Sequence, residues 1–382
     1  MSWNPYESIQ NVYYNFYVIL PSIISSMAMD QHQEYTSYKN ILEIRKNDVS
    51  PFNFSGADDI LREFETNLYS SLNYRSLILL SLYAPVFVVA LLGNILIICA
   101  VAGEKTLRKA RNYFLINLAA CDLCVTLVCM PIAVGTITYK LWIYGDFLCK
   151  TTSFLQGIAV STGIFTLTAM SIDRFLAIQR PVTNHKITTP GQALVIIIVT
   201  WVVSAIFMGP FFYIKKLDTL QFTSLQPVDF CIEDWPRDYD RKAFGVFLLF
   251  ANYIIPAITL TACYAHIGKK LWSNDIYRQS SDSSTTRLCS RKKAARMLII
   301  LVIIFMVCWL PYQITSLCID LEEDSEPVAL LPFAIWLGHA HSAINPVMLW
   351  VLNRQFRQKI RAMLRKLRRR NDYFDHPDPR YV

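Results

Sequence analysis

Charged residues are absent from several long stretches of the chain, and this feature constrains the fold more than any other. Asp, Glu, Lys and Arg make up 17% of the residues, whereas hydrophobic residues make up 53%. The stretch at 112–139 contains a single charged residue, Asp122. Each stretch exceeds the roughly 20 residues with which a helix crosses the hydrocarbon core of a bilayer. The stretches with no charged residue are 76–103, 151–172, 187–214, 243–268, 297–319 and 327–353.

These seven stretches are predicted to be transmembrane helices, because a helix in lipid satisfies its own backbone hydrogen bonds. We number them as spans one to seven in chain order. The predicted fold class is an all-α membrane protein, a seven-transmembrane helix bundle over residues 76–352. A tail over residues 1–75 precedes the bundle. The alternative interpretation is a large soluble protein with buried core helices.

The segment after span seven, residues 353–382, is predicted to form a cytoplasmic amphipathic helix and a short tail. Its apolar residues fall at helical spacing among Arg and Lys, which is typical of a helix lying on the anionic inner leaflet. They are Phe356, Ile360, Met363, Leu364 and Leu367.

The distribution of basic residues orients the bundle. If the N-terminus lies outside the cell, the cytosolic segments hold 25 of the 37 Lys and Arg but only 7 of the 29 Asp and Glu. Basic sequences such as "GEKTLRKAR" at 103–111 and "RKLRRR" at 365–370 supply much of this bias. The sequence therefore predicts a multi-pass protein of the plasma membrane with an extracellular N-terminus.

The predicted extracellular tail contains two features of its own. Asn53 begins an Asn-Phe-Ser sequon and is predicted to be glycosylated. Residues 11–29 are apolar but interrupted by Pro21. They are interpreted as a surface-bound or disordered tail, with a cleaved signal peptide or an eighth span as alternatives.

Two of the ten cysteines are predicted to form a disulfide. Cys149 lies at the outer end of span three and Cys231 in the long outer loop, 215–242. Both are in the oxidising compartment, and each is the obvious partner of the other. Their disulfide would fold the loop over the bundle and hold "EDWP", residues 233–236, above its centre.

Polar and aromatic residues within the spans occur in a characteristic order. In this order the chain closely resembles the rhodopsin-like (class A) G-protein-coupled receptors over residues 76–367. The resemblance implies a receptor that acts on heterotrimeric G proteins, with no enzymatic activity, cofactor or nucleic-acid partner. The motifs are Gly93-Asn94, "NLAACD" ending at Asp122, "SIDRFLAIQRPV" (171–182), Trp201, Pro256, Tyr264, "FMVCWLP" (305–311) and "NPVML" (345–349).

The resemblance also narrows the ligand. Gln156 stands where monoamine receptors have Asp, and His339 stands where opsins have the retinal-binding Lys. "CIEDWP" (231–236) and Asp320 look like the neuropeptide FF and neuropeptide Y group, whose ligands end in an amidated Arg-aromatic pair. An amidated, Arg-containing neuropeptide is therefore expected. The alternatives are another peptide, such as an orexin- or prokineticin-like ligand, and, from a different class, a transporter or channel.

The expected binding residues follow from this ligand and from helical spacing. Trp309, Gln313, Ser316 and Asp320 share one face of span six. Asp320 is predicted to pair with the ligand's arginine, because a guanidinium matches a carboxylate bidentately. Glu233 or Asp234 is its substitute, Gln156 is the partner of the terminal amide, and an acidic mouth would speed capture of a cationic peptide. The full predicted set is Gln156, Glu233, Asp234, Trp309, Gln313, Ser316, Asp320 and His339.

The resemblance further implies a switch inside the bundle. Asp122 would cost roughly 2.5–3.5 kcal/mol at mid-membrane without partners, and a sodium ion at Asp122, Ser342 and Asn345 is one expectation. Gly163, Leu349 and Arg291 depart from the family's usual Ser, Tyr and acid. Arrestin is expected to engage residues 280–290. The implied switch residues are Asp122, Ile164, Asp173, Arg174, Pro256, Tyr264, Phe305, Trp309, Asn345 and Pro346.

Overall fold

A computed structural model describes most of the chain from the first span onward. The N-terminal tail, including residues 11–29 and Asn53, lies outside the described residues, so the predictions for it stay predictions. The described ranges are 74–102, 110–139, 141–179, 188–220, 227–272, 282–321, 326–354, 356–363 and 365.

Seven long helices, α1 to α7, correspond to the seven charge-free or nearly charge-free stretches. Helices α2 and α5 each contain a π-helical turn, Val125–Cys129 and Phe250–Ile254 respectively. The helices are α1 (Tyr74–Ala102), α2 (110–139), α3 (Gly145–Gln179), α4 (Pro190–Ile214), α5 (238–272), α6 (Asp282–Leu321) and α7 (Glu326–Leu352).

Six of these helices, α1 to α6, are long and apolar enough to cross a membrane by length and composition. Helix α7 is 27 residues long, but its apolar sequence is interrupted by His339, His341 and Asn345. Large apolar side chains such as Val195 and Ile206 are 60% and 67% exposed on the outside of the bundle. An apolar exterior is what a bilayer requires of a spanning helix.

The bundle core is an apolar cluster to which most of the helices contribute. Ile164 of α3, Trp309 of α6 and Leu349 of α7 are at most 4% exposed within it. Phe356 and Ile360, from the helix predicted after span seven, belong to the same cluster. Residues 356–363 are helical, so their apolar face packs against the base of the bundle; Leu364 and Leu367 lie outside the described side chains.

The loop between α4 and α5 contains a feature that the all-α prediction omitted. Strands β1 (Lys215–Leu220) and β2 (Val228–Glu233) form an antiparallel hairpin in which Lys215 lies opposite Glu233. A two-stranded hairpin is marginally stable alone in water. Here a disulfide joins Cys231 of β2 to Cys149 of α3. The amide of Trp142 also donates to the Asp229 carbonyl at 2.9 Å.

Candidate functional site

A cavity of about 440 Å³ opens between the helices below the hairpin. We call the end near the hairpin its mouth and the end near Trp309 its floor. Six of the eight predicted binding residues line it: Gln156, Glu233, Trp309, Gln313, Ser316 and Asp320. The side of α6 that was predicted to carry the binding residues therefore lines the cavity.

Asp234 and His339 are the two predicted binding residues that do not line the cavity. The Asp234 side chain is 53% exposed and pairs with Lys216 on the outside of the hairpin. His339 is fully buried behind the cavity wall, where its Nδ1 shares a hydrogen bond of 3.2 Å with the Tyr83 hydroxyl. Because Tyr83 does line the cavity, His339 supports the wall instead of forming it.

Trp309 forms the floor because its neighbours leave room for the indole. A Cβ added at Gly338 of α7 would come within 2.8 Å of its ring, so only glycine allows this close approach. Tyr312 packs edge-on against the same indole, with 5.8 Å between ring centroids. The Trp309 side chain is therefore held between α6 and α7.

Asn252 and Ser161 also line the cavity, and both are buried polar residues that the sequence analysis did not select. Asn252 lies in the π-helical turn of α5, and such turns are frequent at functional sites. Within the described part of the chain, its Oδ1 and the Ser161 hydroxyl have no hydrogen-bond partner. The available signal was a polar residue in an otherwise apolar span, which marks a candidate functional position.

The carboxylates at the mouth are already paired with basic residues of the chain itself. Asp320 accepts a hydrogen bond of 2.9 Å from Nε of Arg241. Glu233 lies 3.1 Å from Nζ of Lys215 and accepts from the Trp235 indole at 3.0 Å. The sequence predicts an acidic mouth, and the structure adds that these two of its acids each have a basic partner within the chain.

The electrostatic balance at Glu233 follows from these partners. Burial raises the pKa of its carboxyl group, but Lys215, the Trp235 hydrogen bond and the nearby Arg241 outweigh burial and lower the pKa to about 2. Glu233 is therefore ionised at neutral pH. The sequence did not predict this pairing, because Lys215 becomes a neighbour of Glu233 only when the hairpin forms. The available signal was charge, since Lys215-Lys216 and Glu233-Asp234 are complementary when the two strands run antiparallel.

Asp122 lies in a second polar cluster deeper in the bundle. Asn345 donates from Nδ2 to its Oδ2 at 2.8 Å, and Ser342 also hydrogen-bonds to it. The Nδ1 of His341 lies 3.9 Å from its Oδ1. His341 was not among the predicted switch residues, since it approaches Asp122 only through the packing of α7 against α2.

This cluster does not fit the sodium ion that the resemblance implies. The space beside Asp122 is about 10 Å³, hardly enough for one water molecule. Gly163 offers no side-chain oxygen, and the Phe305 ring lies 4.0 Å from where its Cβ would be. The set of oxygen ligands available to sodium beside Asp122 is therefore small, and the proposed function does not depend on a sodium ion.

At the opposite end of the bundle, the expected switch residues also have partners. Arg174 Nη2 lies 3.0 Å from Asp173 Oδ2, and Asp173 also accepts from the Thr188 hydroxyl. The Tyr264 hydroxyl shares a hydrogen bond of 2.7 Å with the Ser171 hydroxyl.

The remaining switch residues pack together beneath Trp309. Ile164 is fully buried and Phe305 is 3% exposed, both within the core cluster. Pro256 lies two residues after the end of the π-helical turn of α5. A Cβ at Gly93 of α1 would come within 2.5 Å of the Pro346 ring, so α1 and α7 approach closely at that point.

Comparison with known proteins identifies the class of this molecule. Residues 93–349 match the family described as "7 transmembrane receptor (rhodopsin family)". The chain belongs to this family, which confirms the class inferred from the motifs. It is a receptor and not an enzyme, and it is a multi-pass protein of the plasma membrane.

Individual relatives within the family can be named. A QRFP-like peptide receptor of Branchiostoma floridae is 32% identical over 289 residues, which cover 74% of this chain and 76% of that protein. A neuropeptide F receptor of Drosophila melanogaster is 33% identical over 302 residues, covering 75% and 62%. Galanin receptor 2a of Danio rerio is 28% identical over 291 residues, covering 74% and 77%.

Proposed function

We propose that the chain is a receptor for an amidated neuropeptide that carries an arginine beside a C-terminal aromatic residue, as RFamide and RYamide peptides do. Its N-terminus lies outside the cell, and peptide binding at the mouth activates heterotrimeric G proteins inside. The observation that carries this proposal is the placement of two carboxylates, Glu233 and Asp320, at the mouth of one cavity whose floor is Trp309.

The lining of the cavity suits the two ends of such a peptide. A guanidinium can pair bidentately with Asp320 or Glu233, which favours arginine over a point charge. Below the carboxylates, an aromatic side chain can bury a large apolar area against residues such as Val160, Met208 and Trp309. Gln156 lines the wall between the two levels and is the proposed partner of the terminal amide.

Two relatives support a peptide as the ligand. The names of the Branchiostoma and Drosophila proteins describe receptors for a QRFP-like peptide and for neuropeptide F. Each is at least 32% identical to this chain over about three quarters of its length. The short "CIEDWP" sequence adds the resemblance to the neuropeptide FF group.

The proposed orientation and signalling rest on the two ends of the bundle. Basic residues are concentrated at the end opposite the hairpin, as the positive-inside rule requires of a cytoplasmic face. Asp173 and Arg174 lie at that end and are the proposed contact for the G protein. Arrestin is proposed to engage residues 280–290; residues 282–290 form the start of α6.

The test is a panel of synthetic amidated peptides applied to cells that express the full chain, with G-protein activation as the readout. Peptides ending in Arg-Phe-amide or Arg-Tyr-amide are expected to activate, and their free-acid forms to be at least about tenfold weaker. Equal responses to peptides without arginine would contradict the proposal.

A receptor for a peptide without a critical arginine is the second candidate, and one observation favours it. Asp320 and Glu233 are already paired with Arg241 and Lys215, so neither of these carboxylates requires a basic ligand for its charge balance. Asp320→Asn distinguishes the two, because an unchanged response to the activating peptide supports the second.

A further inference from the structure

Arg241 occupies the position beside Asp320 that the proposed function gives to the ligand's arginine. It belongs to the first turn of α5, and its Nε donates to Oδ1 of Asp320 on α6 at 2.9 Å. The Asp320 side chain is 13% exposed and that of Arg241 31% exposed. Both line the cavity. The pair therefore stands at the mouth itself and links two helices across it.

Gly245 shapes the seat of this ion pair. It follows Arg241 by four residues, so the two lie on the same face of α5. A Cβ at Gly245 would come within 2.3 Å of Oδ2 of Asp320. The carboxylate thus rests against the backbone of α5, with one oxygen toward the guanidinium and the other over the glycine.

Arg241 also acts on the second carboxylate of the mouth. It is one of the charges that stabilise ionised Glu233, whose closest basic partner is Lys215 at 3.1 Å. Among the described charged residues that line the cavity, two acids therefore meet two bases. A guanidinium that arrives from outside must exchange with an internal partner instead of neutralising a free charge.

We infer that Arg241 is an internal competitor of the ligand's arginine for Asp320 and that it lowers the receptor's affinity for a cationic ligand. This inference rests on the proposed function. A cationic group on the ligand must displace the Arg241 guanidinium from Asp320, so the energy of the internal pair is subtracted from the energy of the new one. This subtraction is the same for a guanidinium and for an ammonium group, so Arg241 weakens both ligands by one factor.

The test measures competition binding to membranes that contain the full chain. Two synthetic amidated peptides are compared, and they differ only in having Arg or Lys before the C-terminal phenylalanine amide. With Arg241→Gln, the Arg peptide is expected to bind about two- to fivefold more tightly, which is the size of a partly exposed ion pair. The Lys peptide is expected to gain by the same factor, so that the preference between the two peptides is unchanged.

Arg237→Gln is the matched control. Arg237 lies four residues earlier, pairs with Asp240 at 3.1 Å, and its side chain is 76% exposed. It does not line the cavity, so this variant is expected to bind both peptides with unchanged affinity. Surface expression of each variant, measured with an N-terminal epitope tag, separates altered binding from altered folding.

Weaker or unchanged binding of the Arg peptide by Arg241→Gln, at surface expression equal to the control, overturns the inference. If that variant is poorly expressed, Arg241→Met replaces it, since it keeps an unbranched apolar stem but removes the guanidinium. Tighter binding of the Arg peptide to this variant supports the inference, and unchanged binding overturns it.

Asp320→Asn separates this inference from the proposed function. If it weakens the Arg peptide while Arg241→Gln does not strengthen it, the proposed function stands and the competitor role is wrong. If Asp320→Asn leaves binding of the Arg peptide unchanged, the proposed function itself fails.

Discussion

At the mouth of the cavity two carboxylates meet two basic side chains, whereas at the centre of the bundle Asp122 meets neutral polar groups and an imidazole. The mouth pairs keep some exposure: the Arg241 and Glu233 side chains are 31% and 27% exposed. Asp122 is 5% exposed, and nearby atoms such as Asn94 Oδ1 and His341 Nε2 have no hydrogen-bond partner among the residues described.

The difference indicates that the mouth and the central cluster have different roles. Partly exposed ion pairs are worth little individually and can exchange partners in water, which suits a site where a ligand enters. Buried polar groups with incomplete hydrogen bonds are costly, so the central cluster is sensitive to any rearrangement of the helices that carry it. A ligand that binds one arrangement of the helices more tightly than another by a few kcal/mol would shift the populations of these two arrangements.

The largest effect is expected from the disulfide that holds the hairpin over the mouth. Cys231→Ser removes the link to α3, and losing a native disulfide typically costs about 2–5 kcal/mol. We expect strongly reduced surface expression and no peptide response, measured by flow cytometry and G-protein activation. Cys99→Ser is the control, because Cys99 is free and exposed. Normal responses of Cys231→Ser would show that the mouth does not need the hairpin in place.

The central cluster is expected to respond next, and through stability. Asn345→Ala leaves Oδ2 of Asp122 without its amide donor, which costs about 1–3 kcal/mol for a buried group. A lowered midpoint of thermal unfolding of the detergent-solubilised receptor is the expected result. Thr138→Val is the control, because its hydroxyl bonds only to the Val134 carbonyl of its own helix. An unchanged midpoint for Asn345→Ala would mean that other groups already satisfy Asp122.

At the mouth, the effect is expected on ligand potency and not on stability. Asp320→Asn removes the charge proposed to hold the ligand's arginine, and the potency of an Arg-Phe-amide peptide should fall at least about tenfold. Asp234→Asn is the matched change on the outside of the hairpin, where the side chain does not reach the cavity. Its potency should change less than about twofold, and equal losses in both variants would contradict the cavity as the binding site.

The smallest effect is expected from acidification at Glu233. Because its pKa is lowered from 4.5 to about 2, its contribution to stability is fully present above pH 4.5 and is lost as the pH falls toward 2. In the Asp320→Asn background, residual peptide affinity should therefore vary less than about twofold between pH 8 and pH 5. A loss of binding centred near pH 5 would show that Lys215 does not hold Glu233 in its charged form.

Much of the site could be predicted because helical spacing is a local property. Trp309, Gln313, Ser316 and Asp320 repeat at three or four residues, so any helix places them on one face, and all four line the cavity. The partner of Asp320 could not be predicted in the same way. Arg241 is 79 residues away, and nothing in either local pattern says that their helix faces meet.

The sequence by itself determined that the chain crosses a membrane as seven helices and belongs among the rhodopsin-like receptors. Both conclusions rest on local features of the linear sequence, namely long stretches without charged residues and short motifs. The tertiary structure alone decided which charges neutralise each other, that His341 approaches Asp122 across 219 residues of chain (341 minus 122), and that the hydroxyls of Ser171 and Tyr264 share a hydrogen bond. Pairing of this kind depends on how neighbouring helices are rotated and how deep each residue lies, and packing sets both.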